Sequence, residues 1–179
     1  MNGDVVILTG PPGAGKTTVA ELVAAGAETP TVNLTTDLFY RAIRTGFVPP
    51  YLPESQRQNE VVVEAITATV ATFALGGYDV VVDGIVGPWF LDPFRKLTQQ
   101  HGLTVTYLVL RPDLSTTLAR AQHRTDDELK DVDAITGLHG AFARLGELEK
   151  HALDTAELGP EETAAEVRRI LAAGTFRLS

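Results

Sequence analysis

A chain of 179 residues, 44% hydrophobic and with a net charge of −8, carries enough apolar material for one globular domain with a full core. The negative balance argues against a nucleic-acid or anionic-membrane surface as the main business, since both call for a basic face. The sequence contains no cysteine, which excludes disulfides and thiolate metal sites, and no apolar run reaches the roughly 18 residues that cross a bilayer.

Read in chain order, the apolar run Val5-Val6-Ile7-Leu8 predicts a first strand over about 4–9. No charged and apolar leader precedes it, so the expectation is a soluble cytoplasmic protein. A helix follows from Lys16 to about Ala25, then a short strand over 31–35 and a helix over 38–44. The segment 46–53 holds three prolines and is expected to be a loop. A long helix should run over 54–75, with Val61, Ala65, Ala68 and Thr72 among its inward residues, and Gly76-Gly77 should stop it. The β-branched run at 78–83 reads as a strand buried on both faces. Beyond it come a helix over 88–101, a strand over 104–110 and a helix over 113–124 with Asp113 as N-cap. The charged, weakly periodic stretch 125–131 precedes a helix over 132–150, a short strand at 152–154 and a last helix over 160–173. Strands and helices alternate throughout. The expected fold is therefore α/β: a mainly parallel five-stranded sheet with helices on both faces, in one domain spanning 1–179 with a small lid at about 121–132.

Between the first strand and the first helix stands Gly10-Pro11-Pro12-Gly13-Ala14-Gly15-Lys16-Thr17, the full spacing of a P-loop in its required setting. Glycines let the backbone turn its N–H groups toward a phosphate, and the helix opening at Lys16 points its positive end at the same anion. The Lys16 ammonium suits β- and γ-phosphates and the Thr17 hydroxyl suits Mg²⁺. The pattern indicates nucleotide binding.

In such sheets ligands gather at the carboxyl ends of the strands, so the residues there carry most information. Asp37 follows the second strand, with Arg41 one turn later and Arg44 beyond it. A carboxylate at that place can take the proton of an attacking hydroxyl, and it can equally cap its own helix. Asp83 ends the third strand and suits a water-mediated hold on Mg²⁺ or a contact to the acceptor, or a simple turn before Gly84. Arg120 and Arg124 lie four apart, so one helix face carries two guanidinium groups, with Arg111 a third candidate. Trp89, Phe90, Phe94, Tyr40, Phe47 and Tyr51 are candidates for an acceptor wall or for the core. The four histidines show no metal-ligand spacing and read as surface or helix-end residues.

With these positions placed, the chain resembles the small P-loop kinases and, within them, the chloramphenicol-phosphotransferase-like group. The likeness runs over nearly the whole chain: the P-loop, Thr36-Asp37, Val81-Val82-Asp83-Gly84, Arg120-x-x-x-Arg124, and Leu153-Asp154-Thr155 ahead of Gly159-Pro160-Glu161-Glu162. That resemblance implies ATP and Mg²⁺ on Gly13, Gly15, Lys16, Thr17 and Thr18, Asp37 as general base, and Arg120 and Arg124 as lid arginines. The expected activity is transfer of the γ-phosphoryl group of Mg·ATP to a hydroxyl of a small molecule. Phosphorylation of a nucleotide or a nucleic-acid 5′ end is an alternative that the net charge disfavours. A nucleotide-dependent switch or ATPase is another. Against it, no N-K-x-D or T-K-x-D segment is present and no glutamate follows Asp83. The sequence leaves the acceptor and the oligomeric state open.

Overall fold

In the computed structural model, which describes residues 1–122 and 129–178, five parallel strands form one sheet. They are β1 (Val5–Thr9), β2 (Thr31–Thr35), β3 (Asp79–Asp83), β4 (Val105–Leu110) and β5 (Ala152–Leu153), in the order β2-β3-β1-β4-β5. The helices are α1 (Lys16–Ala25), α2 (Asp37–Arg41), α3 (Gln56–Leu75), α4 (Asp92–His101), α5 (Leu114–Gln122), α6 (Val132–Phe142) and α7 (Pro160–Ala173), and short 3-10 turns cover Pro53–Ser55, Pro88–Phe90 and Gly146–His151.

Every residue of β1 and β4 is buried, which is why these strands read as unbroken apolar runs. Alternate side chains feed two cores. Val6, Leu8, Val81 and Leu108 face α1 and α7, while Val5, Ile7, Val80, Val82, Tyr107 and Val109 pack on the side of α3 and α4. Leu8 stands beside Asp83 in register, and Asp83 beside Thr35. The ends of β1, β2 and β3 are therefore level, and the loops that leave them meet.

Four expectations are corrected by the structure. First, α2 ends at Arg41 rather than 44, where the amide of Ile43 tightens onto the carbonyl of Tyr40 at 3.1 Å. Second, α3 is turned relative to its expected face. Val61 is exposed, as are Ala65, Ala68 and Thr72, and Val62, Val63, Ile66, Val70 and Ala74 are buried. Beyond Val61 small and apolar residues fall on most faces, and the core takes the bulkier branched side chains. On the outer face Thr69 and Thr72 satisfy their hydroxyls on the carbonyls of Ala65 and Ala68, each at 2.9 Å. Third, α6 stops at Phe142, whose carbonyl accepts a hydrogen bond from Arg111 Nη1 at 3.1 Å, and the chain continues as a 3-10 turn. Fourth, His151 is buried, with Nδ1–H donating to the carbonyl of Tyr107 at 2.9 Å, and burial holds its imidazole below the ordinary pKa.

The carboxyl-terminal residues add a feature that periodicity does not reveal. The amide of Tyr107 donates to Phe176 at 3.0 Å and that of Leu178 to Val105 at 2.8 Å, which covers the edge of β4 below the two-residue β5. Among the described residues no helix is long and apolar enough to cross a membrane.

The observed face of α3 gives a direct check. Ile66→Ala should cost about 2–5 kcal/mol in urea unfolding, whereas Val61→Ala should stay within about 0.5 kcal/mol; equal costs would contradict the placement.

Candidate functional site

The P-loop wraps the start of α1. Gly15, at φ 85°, is the N-cap, and the first turn opens with Lys16, so the unpaired amides of a helix start face the end of the sheet. Gly13 cannot be replaced without strain: its φ is 82° and a Cβ would fall 2.6 Å from the carbonyl oxygen of Thr117. That contact also shows α5 lying directly on the loop. Lys16 is largely buried, and its Nζ donates to the carbonyl of Pro11 at 2.9 Å.

Next to the lysine lies Asp83, 1% exposed, at the last position of β3. Its Oδ2 is buried and has no hydrogen-bond partner among the described residues. Burial drives its carboxyl above the ordinary pKa; Lys16 and a hydrogen bond from Thr17 pull it down, and Asp37 and Glu21 push it up, with burial winning. The turn after β3 is tightly latched. Thr36 N–H donates to the carbonyl of Asp83 at 2.8 Å, and Val86 N–H donates to Thr9 Oγ1 at 2.8 Å. Tyr107 Oη donates to the carbonyl of Val86 at 3.0 Å, and burial raises that phenol's pKa, which keeps it a donor. A Cβ on Gly84 would sit 1.8 Å from Thr36 Oγ1. Only glycine allows the ends of β2 and β3 to approach so closely, and that approach brings Asp37 beside Asp83.

Asp37 is the first residue of α2 and exposed. The N-cap is Thr36 and no side-chain cap bond is made, so the carboxylate of Asp37 is not engaged as a helix cap. Instead it lines a cavity of about 530 Å³ that also reaches Lys16, Thr17, Asp83 and Arg41. Burial first, and the charge of Asp37 second, push the phenol of Tyr40 up to about 12. Of the six aromatic candidates, five line this cavity: Tyr40, Phe47, Tyr51, Trp89 and Phe90. Phe94 instead fills the core at 0% exposure.

Sequence reasoning missed several lining residues. Ile85 directly follows Asp83-Gly84 and could have been found from its place at a strand end. Asn59 stands in the buried stripe of α3, and a polar residue there would have been a signal had the face been set correctly. Leu138, on α6, has no local signature. The loop 46–53 is fastened to α3 by polar side chains. Gln58 exchanges two hydrogen bonds with the backbone of Val48, at 2.9 and 2.7 Å. Asn59 Nδ2 and Ser55 Oγ both donate to the carbonyl of Pro50, at 2.8 and 2.9 Å. Phe47, Pro50 and Tyr51 are thereby held over the cavity.

The arginines divide. Arg120 lies on α5, one turn past Thr117, half-buried and outside the cavity lining. Arg124 and half of the expected lid, 123–128, lie outside the described residues; Leu129, from its far part, lines the cavity. Arg44 is exposed and is not part of the lining. Arg111 is a structural tie, donating to Phe142 and pairing with Glu149. His139 Nε2 reaches the carbonyl of Pro112 at 3.0 Å, and no group of three or more His, Asp or Glu that could hold a metal occurs among the described residues. A second cavity of about 140 Å³ lies at the opposite, amino ends of the strands, lined by Asp4, Asp79 and Arg177.

The fold is shared with known proteins. The tunicamycin resistance protein of Deinococcus radiodurans superposes with a TM-score of 0.65 at 19% identity, covering 99% of each chain. Shikimate kinase from Acinetobacter baumannii in complex with shikimate gives 0.66 at 17%, covering 97% of this chain and 95% of that one. Mycobacterium tuberculosis APS kinase CysC in complex with AMPPNP and APS gives 0.67 at 19%, covering 96% and 98%. At such identities the likeness establishes the fold. No curated protein matches the sequence. The family model described as an AAA domain matches residues 5–144, the span from β1 through α6. The chain therefore belongs to the AAA domain family, with the fold of the small P-loop kinases.

Proposed function

We propose that this protein is an ATP-dependent phosphotransferase that moves the γ-phosphoryl group of Mg·ATP to a hydroxyl of a small molecule. The observation that carries the reading is the single cavity joining Lys16 and Thr17 of the P-loop to Asp37, a carboxylate that does not cap its helix. The acceptor hydroxyl oxygen bonds to the γ-phosphorus as the bond from that phosphorus to the bridging oxygen of ADP breaks, and Asp37 receives the hydroxyl proton. The P-loop residues 10–18 wrap the phosphates, the N–H groups from Gly13 onward donating to them, and Lys16 neutralises charge on the transferring group. Arg120, on the helix that packs on Gly13, adds to this, with Arg124 in the role that the resemblance implies. Arg41, in the same lining, would grip an anionic part of the acceptor.

Mg²⁺ fits the donor set: Thr17 would offer its hydroxyl and Asp83, whose buried Oδ2 lacks a partner among the described residues, would hold the ion through water, and this metal takes few protein groups beside substrate phosphates. It would supply charge neutralisation across the β- and γ-phosphates. Kinases among the similar structures, one bearing AMPPNP and APS and one bearing shikimate, support a nucleotide and a small acceptor.

The test is ADP release from Mg·ATP across antibiotics, sugars, nucleosides and 5′-hydroxyl oligonucleotides. One acceptor class should raise turnover well above background, and Asp37→Asn should remove about 10²-fold or more of that rise while ATP binding persists. Acceptor-independent turnover that survives Asp37→Asn would favour the ATPase reading instead.

Asp83 yields a second expectation. Its folded pKa lies above its unfolded one, so native stability falls as pH rises from the ordinary carboxylate range through the raised value. Asp83→Asn, which mimics the protonated form, should therefore raise the melting temperature of the nucleotide-free protein at pH 7. The gain should shrink as pH drops through that window, and thermal scans at several pH values with no such convergence would contradict it.

A further inference from the structure

We infer that the second cavity, at the amino ends of the strands, binds a free α-amino acid with a short aliphatic side chain. Its floor follows from strand register. Val5 stands level with Val80 and Val105, and Thr31 with Asp79. One residue earlier, Thr31, Asp79, Asp4 and Thr104 therefore form a polar row across four neighbouring strands. Alternation puts that row on the face where Val6, Val81 and Thr106 form the next one. Helices α1 and α7 cover this face and end above it. Val23 and Ala27 come from the end of α1 and the turn beyond, and Leu171 from the last turn of α7. Arg177 lies opposite Thr106 in an antiparallel bridge and closes the β4 side. About 140 Å³ remains, apolar within and charged at its mouth.

Three polar groups of this lining are unengaged. The Arg177 guanidinium and the Asp4 carboxylate make no ion pair or hydrogen bond among the described residues, and neither does the hydroxyl of Thr106, a residue only 4% exposed. Asp79 differs, for its two oxygens accept from Asp4 N–H at 2.7 Å and from the Thr29 hydroxyl, and so it belongs to the wall. The guanidinium rests over Gly174, where a Cβ would fall 2.9 Å from Nη2. A buried hydroxyl without a partner is costly, and a ligand carboxylate between Thr106 and Arg177 satisfies both. Asp4 stands one strand over, about 4.8 Å across the ladder, and meets an ammonium. The two charges of an α-amino acid are separated by a gap of that order. They also cancel, which suits a chain of net charge −8 that repels free anions. The side chain enters the apolar interior of Val6, Val23, Val81 and Leu171. A cavity of roughly 150 Å³ takes one benzene ring, so a branched aliphatic group fits.

The probe is L-valine, titrated into the full chain and followed by calorimetry and methyl NMR. It should bind saturably and move the methyl signals of Val6, Val23, Val81 and Leu171. Affinity should rise from glycine through alanine to valine by roughly fourfold per added carbon. Isobutylamine, which is valine without its carboxylate, and isovalerate, which is valine without its ammonium, should each bind about tenfold more weakly or worse. Arg177→Gln should weaken valine by a similar factor and should not weaken isobutylamine. Asp4→Asn should weaken valine likewise and should not weaken isovalerate. Both residues are exposed and unpaired among the described residues, so both variants should keep the native melting temperature. No saturable binding of valine, shifts confined to other residues, either analogue binding as tightly as valine, or folded variants that bind like the wild type would overturn the inference and leave the cavity to water.

Discussion

A carboxylate held out of water at the end of a central strand sets the terms for everything near it. Asp83 is 1% exposed, burial disfavours its charge, and its Oδ2 has no partner among the described residues. Such a group is costly in a folded chain unless something else offsets it. Here Lys16 and Thr17 do part of that, and both belong to the P-loop. The phosphate loop and the acidic strand end are thus electrostatically dependent on one another, and both depend on β1 and β3 being paired with Leu8 level with Asp83. A shift of register by one residue would turn Asp83 toward the opposite face of the sheet.

The sheet topology then explains why the remaining groups arrive where they do. With β1 between β3 and β4, the chain after β1 turns back through α1 toward β2, and β3 fills the place between. All three strands run the same way, so three loops leave at one end. Their closeness is fixed by a backbone hydrogen bond, Thr36 N–H on the Asp83 carbonyl, and by the Thr36 side chain packed on Gly84 with no room for a Cβ. Local sequence at Asp37 does not place it in the cavity; the contact between two strand ends does.

How much of this was legible follows from the range of each interaction. The strands, α1, α7 and the P-loop announce themselves through short-range signals: β-branched runs, glycine spacing, proline at a helix start. Asp37, Arg41 and Asp83, singled out by their place at strand ends, line one cavity with Lys16 and Thr17. Sequence reasoning failed where the deciding contact is distant in the chain. The rotation of α3 is set by which side chains the sheet can absorb, and beyond Val61 small and apolar residues fall on most faces, which blurs the periodicity. The end of α6 is set by Arg111, 31 positions from Phe142. His151 and Tyr107, 44 positions apart, meet only because β4 and the turn before β5 are adjacent. Arg120 was placed on the correct helix, and the contact of that helix with Gly13 became visible only in three dimensions.

The two halves of the cavity are built by different means, and that difference bears on how the fold accommodates different acceptors. The phosphate half is backbone-determined: glycine conformations, a helix start and level strand ends leave little freedom for substitution. The rest of the lining comes from the loop 46–53, from Ile85 to Phe90 after β3, from Leu129 and from Leu138 on α6. Their side chains can change without disturbing the sheet. What they need is anchorage, and it is local: Ser55, Gln58 and Asn59 on α3 fasten the first segment, and Thr9 and Tyr107 latch the second. Anchors that grip backbone carbonyls and amides hold a loop whatever side chains it carries. Side chains on such anchored loops can vary on a fixed frame, and the similar structures at 17–19% identity share that frame's fold.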